Sequence, residues 1–395
     1  MHDPNENRSS YHKTKVGWLP NDWDCAAFGQ IARRVSKPVA VAKGEYYREI
    51  GLRSHGRGVF HKEPVQGADL GEKRVFRVQP GALVFNIVFA WEQAVAMTSE
   101  AEAGMIASHR FPMFVGRDGK AEATFLLRYF LTPRGKHELG LASPGGAGRN
   151  KTLGQEDLNR LPVPLPPLAE QRRIVEVLVT WDAALRDVEA LIAAQRRRKT
   201  GLMQQLLGGH TRLPGFTGEW LSLPFHQCFR NVRATMKIAR TEYSTQGRLP
   251  IVDQGIGLIA GYTDSASAVP ESPVIVFGDH TRVVKWIDFP FVPGADGTKL
   301  LSTRDGVLAE FGYQCLAGST VPCLGYARHF GLLRELTFAL PPLPEQRAIA
   351  AVLGAADEEL RALEQKRAAL ERQKRGLMQQ LLSGALRVSP GQGDA

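Results

Sequence analysis

LPPLAEQRRIVEVLVTWDAALRDVEALIAAQRRRKTGLMQQLLGG, residues 165–209, returns at residues 340–384 as LPPLPEQRAIAAVLGAADEELRALEQKRAALERQKRGLMQQLLSG. The offset is 175 residues, and 26 of 45 positions agree without a gap, far beyond chance. Such an internal repeat takes precedence over local patterns when a fold is inferred. Each copy has the grammar of a long helix. Pro166-Pro167 and Pro341-Pro342 cannot lie inside a helix, so each helix begins after them. Glu170 and Glu345 then fall in the first turn, where the helix dipole favours negative charge. Gly208-Gly209 and Gly384 follow the last turns and suit a left-handed cap. A run of roughly 38 residues would be about 57 Å long.

The apolar spacing predicts what these helices pack against. Ile174, Leu178, Trp181, Leu185, Val188 and Ile192 step by four and three, and the phase resumes at Leu202 and Leu206. The second copy keeps the register with Ile349, Leu353, Ala356, Leu360, Leu363, Leu370, Leu377 and Leu381. A stripe of this period makes a coiled-coil seam. Equal length, equal phase and near-identical ends favour pairing of the two helices with each other over two unrelated core helices. Gly201 and Gly376 occupy the same interior place, each at a cost of about 1 kcal/mol relative to Ala. Either another backbone approaches closely there, or the helix breaks before GLMQQLL.

Around the helices lie a segment at 1–164, a second at 210–339 and a tail at 385–395. Both segments show short β-branched and aromatic runs between Gly, Pro and Asp turns. Residues 74–78, 82–90 and 123–130 in the first, and 273–277 and 283–287 in the second, are read as strands. The segments also end alike: a basic loop, a short helical stretch and an alternating strand lead into PPL. The predicted fold class is α+β, with two mixed α/β domains joined by two long antiparallel helices in a coiled coil with pseudo-two-fold symmetry.

Composition narrows the function classes. The 395 residues are 43% hydrophobic and 23% charged, as expected of a soluble globular protein. The net charge is +10, of which +6 falls in residues 1–164. That balance makes an acidic partner such as nucleic acid plausible without proving one. Cys25, Cys228, Cys315 and Cys323 form no CxxC pair and read as reduced thiols, so neither a metal nor a disulfide framework is expected. No secretory signal or bilayer-length apolar run is visible, and a cytoplasmic protein with no membrane contact is expected.

Enzymatic motifs are missing. There is no GxxxxGK[ST] phosphate loop, no Asn/Asp-Pro-Pro-aromatic motif and no PD-(D/E)xK arrangement. Gly255, Gly257 and Ala260 loosely fit GxGxxA, but the following YTDS is not helical, so the stretch is read as a turn.

Over its whole length the chain resembles the specificity subunit of a type I restriction-modification system. The resemblance rests on the doubled PPLxEQR start (residues 166–172 and 341–347) and the GLMQQLL end (201–207 and 376–382). GWLPNDW (17–23), TRLPGFTGEW (211–220), RNKTL (149–153) and VIVFGDHTRVVKWIDFPF (274–291) add support. It implies two target-recognition domains reading the halves of a split double-stranded DNA sequence in the major groove, with the helices as a ruler between them. It also implies docking of two methyltransferase (M) subunits and of restriction (R) subunits, which carry the chemistry, so this chain would be non-catalytic and use no cofactor. A spacer of about 57 Å, less domain overlap, suits half-sites about one helical turn, roughly 34 Å, apart. The two segments share little sequence beyond their ends, which predicts a non-palindromic target. A free-standing bipartite DNA-binding regulator, or a coiled-coil scaffold without enzyme partners, is the alternative.

Candidate DNA contacts follow from local chemistry. His280, Arg282 and Lys285 lie in GDHTRVVK, with Asp279 placed to orient the loop. Arg149 and Lys151, with Arg328 and His329 as counterparts, precede the two helices. Arg53, His55 and Arg57 in GLRSHGRG form a glycine-rich basic loop able to follow a phosphate track. The competing interpretation is of solvated turn charges, and the run QRRRK at 195–199 is read mainly as a solvated helical face.

Overall fold

The computed structural model describes residues 9–145, 151–234, 236–264, 267–325 and 327–388. The chain divides into two compact units, Met1–Asp187 with Ala368–Ala395, and Val188–Arg367. Both predicted helices form, at Leu168–Leu207 and Leu343–Leu382, each of 40 residues and about 60 Å. Their ends carry the expected glycine caps, with Gly209 at φ 68° and Gly384 at φ 72°. The Thr211 N–H donates to Gln205 O and the Leu386 N–H to Gln380 O, both at 3.1 Å, so the chain after each glycine satisfies a carbonyl of the last helical turn.

Neither reading of the interior glycines holds. The helices run unbroken through Gly201 and Gly376, and a Cβ at either position would meet nothing within 4 Å.

Each unit holds part of both helices, and they run antiparallel within it. In the first unit Ile174 and Leu178 share a buried cluster with Leu381 and Leu382, and Lys374 pairs with Asp182. In the second, Leu206 clusters with Ile349 and Leu353, and Lys199 pairs with Asp357. Farther along the same helices Gln195 donates to Glu359, and Arg196 to Glu364 at 2.6 Å. Gln195 and Lys199 of the polar run thus engage the opposite helix, while Arg196, Arg197 and Arg198 remain exposed. Val188 is buried, while Trp181, Leu185, Leu360, Leu363 and Leu370 are half-buried.

The segments at 1–164 and 210–339 share one topology in their described residues despite their unlike sequences. In the first unit Asp24–Ala27 pairs antiparallel with Pro162–Leu165, the strand that leads into the helix. In the second, Leu221–Pro224 pairs in the same way with Thr337–Leu340. A single helical turn follows each (Phe28–Ile31 and Phe225–Cys228) and delivers the chain into a four-stranded antiparallel sheet. That sheet runs Ala32–Val35, Met113–Gly116, Leu83–Phe85, Val95–Met97 in one unit. It runs Phe229–Asn231, Thr298–Thr303, Val274–Gly278, Val284–Ile287 in the other. The order is the same.

One strand assignment is corrected. Ala123–Phe130 is a helix, because Phe125, Leu126, Tyr129 and Phe130 repeat at helical rather than alternating spacing and bury one face. That face joins Phe28, Phe85 and Phe114 in an edge-to-face aromatic core, with Phe28–Phe114 at 5.1 Å and Phe85–Phe130 at 5.4 Å.

The doubled EQR motif fixes each helix to its own domain. Gln171, fully buried, donates to Lys120 O and Pro166 O at 2.9 Å and accepts from the Glu122 N–H. Gln346 repeats this with Gly306 O, Pro341 O and the Leu308 N–H. Glu170 accepts from Trp23 Nε1 and from the Arg387 guanidinium, and Glu345 from Trp220 Nε1 and Arg212. These carboxylates complement the helix N-terminus and have their charge matched by arginine. Arg387 lies in the stretch read as a tail, so residues 385–388 belong to the first unit's packing.

Among the described residues no helix is long and apolar enough to cross a membrane, and no group of three His, Cys, Asp or Glu could hold a metal. The four cysteines are unpaired by disulfides.

Candidate nucleic-acid interface

The hairpin turn between the third and fourth sheet strands organises the candidate residues in both units. In the first unit this turn spans residues 86–94, ending in a short 3-10 turn at Ala90–Glu92. The GLRSHGRG loop connects the paired strands Ile50–Leu52 and Val59–His61 and leans on that turn. His55 N–H donates to Glu92 O at 2.7 Å, Gly56 N–H to Gln93 O at 2.9 Å, and Ser54 Oγ to the Glu92 carboxylate at 2.9 Å. Arg53, His55 and Arg57 stay exposed at the tip. Arg53 stacks over Phe60 at 5.0 Å, so its guanidinium is positioned rather than free-swinging. On another side of the turn, the Lys151 ammonium lies 5.3 Å over the Trp91 ring. Arg149 lies outside the described residues.

In the second unit the equivalent turn is GDHTR, residues 278–282. Arg282 is exposed and donates from Nη1 to Val321 O at 2.9 Å. Arg328 is exposed too, next to Ala327, whose carbonyl contacts His280 Nδ1 at 3.2 Å. Among the described residues three non-glycines adopt left-handed backbone: His55, Gln93 and Arg282. All three lie in or against these two turns. Strain of this kind persists only where surroundings hold it, and it concentrates at binding sites.

Three candidates are corrected. Lys285 is buried, and its ammonium donates to Asp253 O at 2.7 Å and Gly257 O at 2.6 Å. Burial lowers its pKa, opposed by the nearby Asp253 carboxylate. It is an internal brace, not a DNA contact. The His280 side chain is 13% exposed and sits between Ala327 O and Asp296, which leaves it packed inside the turn. His329 is fully buried. Its Nδ1 faces Asp279 O at 2.9 Å while Nε2 accepts from the Leu324 N–H, so the neutral Nδ1–H tautomer satisfies both contacts. It is no counterpart to Lys151.

Asp279 does orient the turn. Its carboxylate accepts from the Phe330 N–H at 2.8 Å and faces Lys299 at 3.4 Å. Burial acts to raise its pKa, but the Phe330 N–H and the Lys299 ammonium outweigh it and hold the carboxyl below its ordinary range.

The residues that position these side chains escaped the sequence reading. Trp91, Gln93 and Gln254, whose Oε1 accepts from the His280 N–H at 3.0 Å, carry no motif. Their roles follow from strand order, which a single sequence with unlike halves does not display.

Known proteins extend the geometry. Residues 87–194 match the family model described as "Type I restriction modification DNA specificity domain". The chain is 20% identical to a Methanocaldococcus jannaschii protein named as the MjaX type I restriction enzyme specificity subunit, over 96% of this chain and 97% of that one. It is 28% identical over 97 residues, 24% of each chain, to the EcoR124I/EcoR124II specificity subunit of Escherichia coli. Among solved structures, the type I restriction-modification S subunit of M. genitalium is similar in fold, with a TM-score of 0.57 at 13% identity, covering 91% of this chain and 96% of that one. A chain solved in work on assembly and conformational transition of the type I R-M system has a TM-score of 0.56 at 20% identity, covering 93% and 99%. With a type I restriction modification DNA specificity domain matched at residues 87–194 and a relative that aligns along nearly the whole chain, the protein is similar throughout to the specificity subunits of type I restriction-modification systems.

Proposed function

We propose that this chain reads a split, non-palindromic DNA sequence, one half through each unit, and carries methyltransferase and restriction subunits to it. The observation that carries this reading is the pair of topologically equivalent hairpin turns. One sheet order presents them twice, on a scaffold of matching EQR clasps, yet the exposed basic side chains at them differ: Arg53, His55 and Arg57 on the loop that leans against one turn, Arg282 in the other with Arg328 beside it. Equal frames with unequal tips are what two dissimilar half-sites require. Arginine is suited to the guanine O6/N7 edge, and each good bidentate contact discriminates by about 1–3 kcal/mol. The remaining basic charge supplies phosphate contacts and a salt-dependent affinity. The bond-making chemistry belongs to the partner subunits.

Methylome sequencing of cells with and without this chain tests the proposal. A bipartite methylated motif should vanish with the chain, and replacing residues 210–339 by those of a related specificity subunit should change one half of the motif only. A motif that survives loss of the chain would contradict it.

A further inference from the structure

Residues 253–260 of the second unit link the strands Leu249–Val252 and Gly261–Thr263 and carry an apolar tip on the surface. Ile256 is 90% exposed, Leu258 50% and Ile259 40%. The tip is held from both sides. Lys285 grips Asp253 O and Gly257 O from beneath, Gly255 N–H donates to Asp253 Oδ1 at 2.8 Å, and Ala260 N–H donates to Ile251 O at 2.8 Å. Gln254 joins it to the GDHTR turn: His280 N–H donates to Gln254 Oε1 at 3.0 Å, and Thr281 Oγ1 to Gln254 O at 2.5 Å. A buried lysine therefore holds three bulky apolar side chains in water. Contiguous exposed apolar surface of this kind marks a contact.

The neighbouring charges say with what. The same rim carries exposed Arg282, with Arg328 one residue beyond the carbonyl that His280 touches. Cations beside an apolar tip suit a polyanion that also offers an apolar group. In the major groove of DNA that group is the thymine C5-methyl. The first unit's protruding loop, by contrast, is tipped by Arg53, His55 and Arg57.

We infer that Ile256 and Leu258 pack against thymine methyl groups in the major groove of the half-site read by the second unit. This rests on the DNA reading proposed above and adds a base identity to it: that half-site contains thymine where the loop lands.

The test uses the chain assembled with its methyltransferase partner and duplexes of the methylated motif. Each thymine is replaced in turn by deoxyuridine, which lacks only the methyl group. Wild type should lose about four-fold in affinity for each contacted thymine of one half-site. The Ile256→Ser, Leu258→Ser double variant should bind the thymine and deoxyuridine duplexes alike. Both side chains are solvent-exposed, so the variant keeps its core. Motif-specific binding with no thymine-sensitive position in that half-site, or equal sensitivity in wild type and variant, overturns the inference and leaves the DNA reading intact. A variant that discriminates thymine normally but fails to assemble with the methyltransferase assigns the loop to a protein contact and also overturns it. Wild-type complex with no motif-specific, salt-dependent binding overturns the DNA reading itself, and the inference with it.

Discussion

Arg387 donates to the Glu170 carboxylate from Nε and Nη2, each at 2.8 Å, and its guanidinium lies 5.8 Å over the Trp23 ring. The same clasp joins Arg212, Glu345 and Trp220, and Arg212 stands 175 residues before Arg387. In the second unit the arginine and tryptophan are eight residues apart on one strand of chain. In the first they come from opposite ends of the sequence, so the clasp closes the unit without a covalent link. Removing Arg387 leaves a buried carboxylate short of its counter-charge. Arg387→Ala should destabilise the first unit by about 1–3 kcal/mol. Amide exchange should accelerate in residues 17–27 and 168–180, with the second unit unchanged; uniform exchange in both units would contradict this.

Acid should act on the pairs between the helices. Burial acts to raise the Asp182 carboxyl, but Lys374 and Arg128 outweigh it and hold its pKa below the ordinary 3.8. A carboxyl depressed on folding stabilises the fold fully above its unfolded value, and that contribution is lost as pH falls through the folded value. Denaturant midpoints should therefore hold down to about pH 5 and drop steeply below it. Asp182→Asn should be less stable at neutral pH and show a shallower acid limb. Parallel limbs would rule out this role for Asp182.

The interior glycines leave room for a methyl group. Gly201→Ala and Gly376→Ala should each raise stability by about 1 kcal/mol, since a Cβ meets nothing there and helix propensity improves. Thermal unfolding of the isolated chain measures this. A loss of stability would show that the helix backbone departs from regular geometry at those positions.

Much of this architecture was legible because the repeat wrote it twice. Asp182 and Asp357, and Lys199 and Lys374, are identical across the offset, so the pairs that join the helices sit in the repeated text itself. The proline starts and glycine ends gave the helix limits to within a few residues because both act through local backbone sterics. The recognition segments were less legible. Ala123–Phe130 is rich in aromatics, which suit strands, and only its i, i+3, i+4 spacing betrays the helix. Lys285 resembled a groove contact because burial is set by the sheet around it, not by its neighbours in sequence. The Arg387 clasp was one step from view, since extending the repeat three residues beyond 384 aligns Arg387 with Arg212.

The central proposal is that the length of the two helices sets the gap between the half-sites. It is tested most directly by deleting residues 187–193 and 362–368 together. This removes two turns from each helix, keeps the seam in phase, and retains the Asp182–Lys374 and Lys199–Asp357 pairs. The helices shorten by about 10 Å, or roughly three base pairs of duplex. Methylome sequencing of cells carrying the shortened chain should find both half-sites unchanged and the gap between them reduced by about that amount. The original gap, methylated as before, would contradict the account.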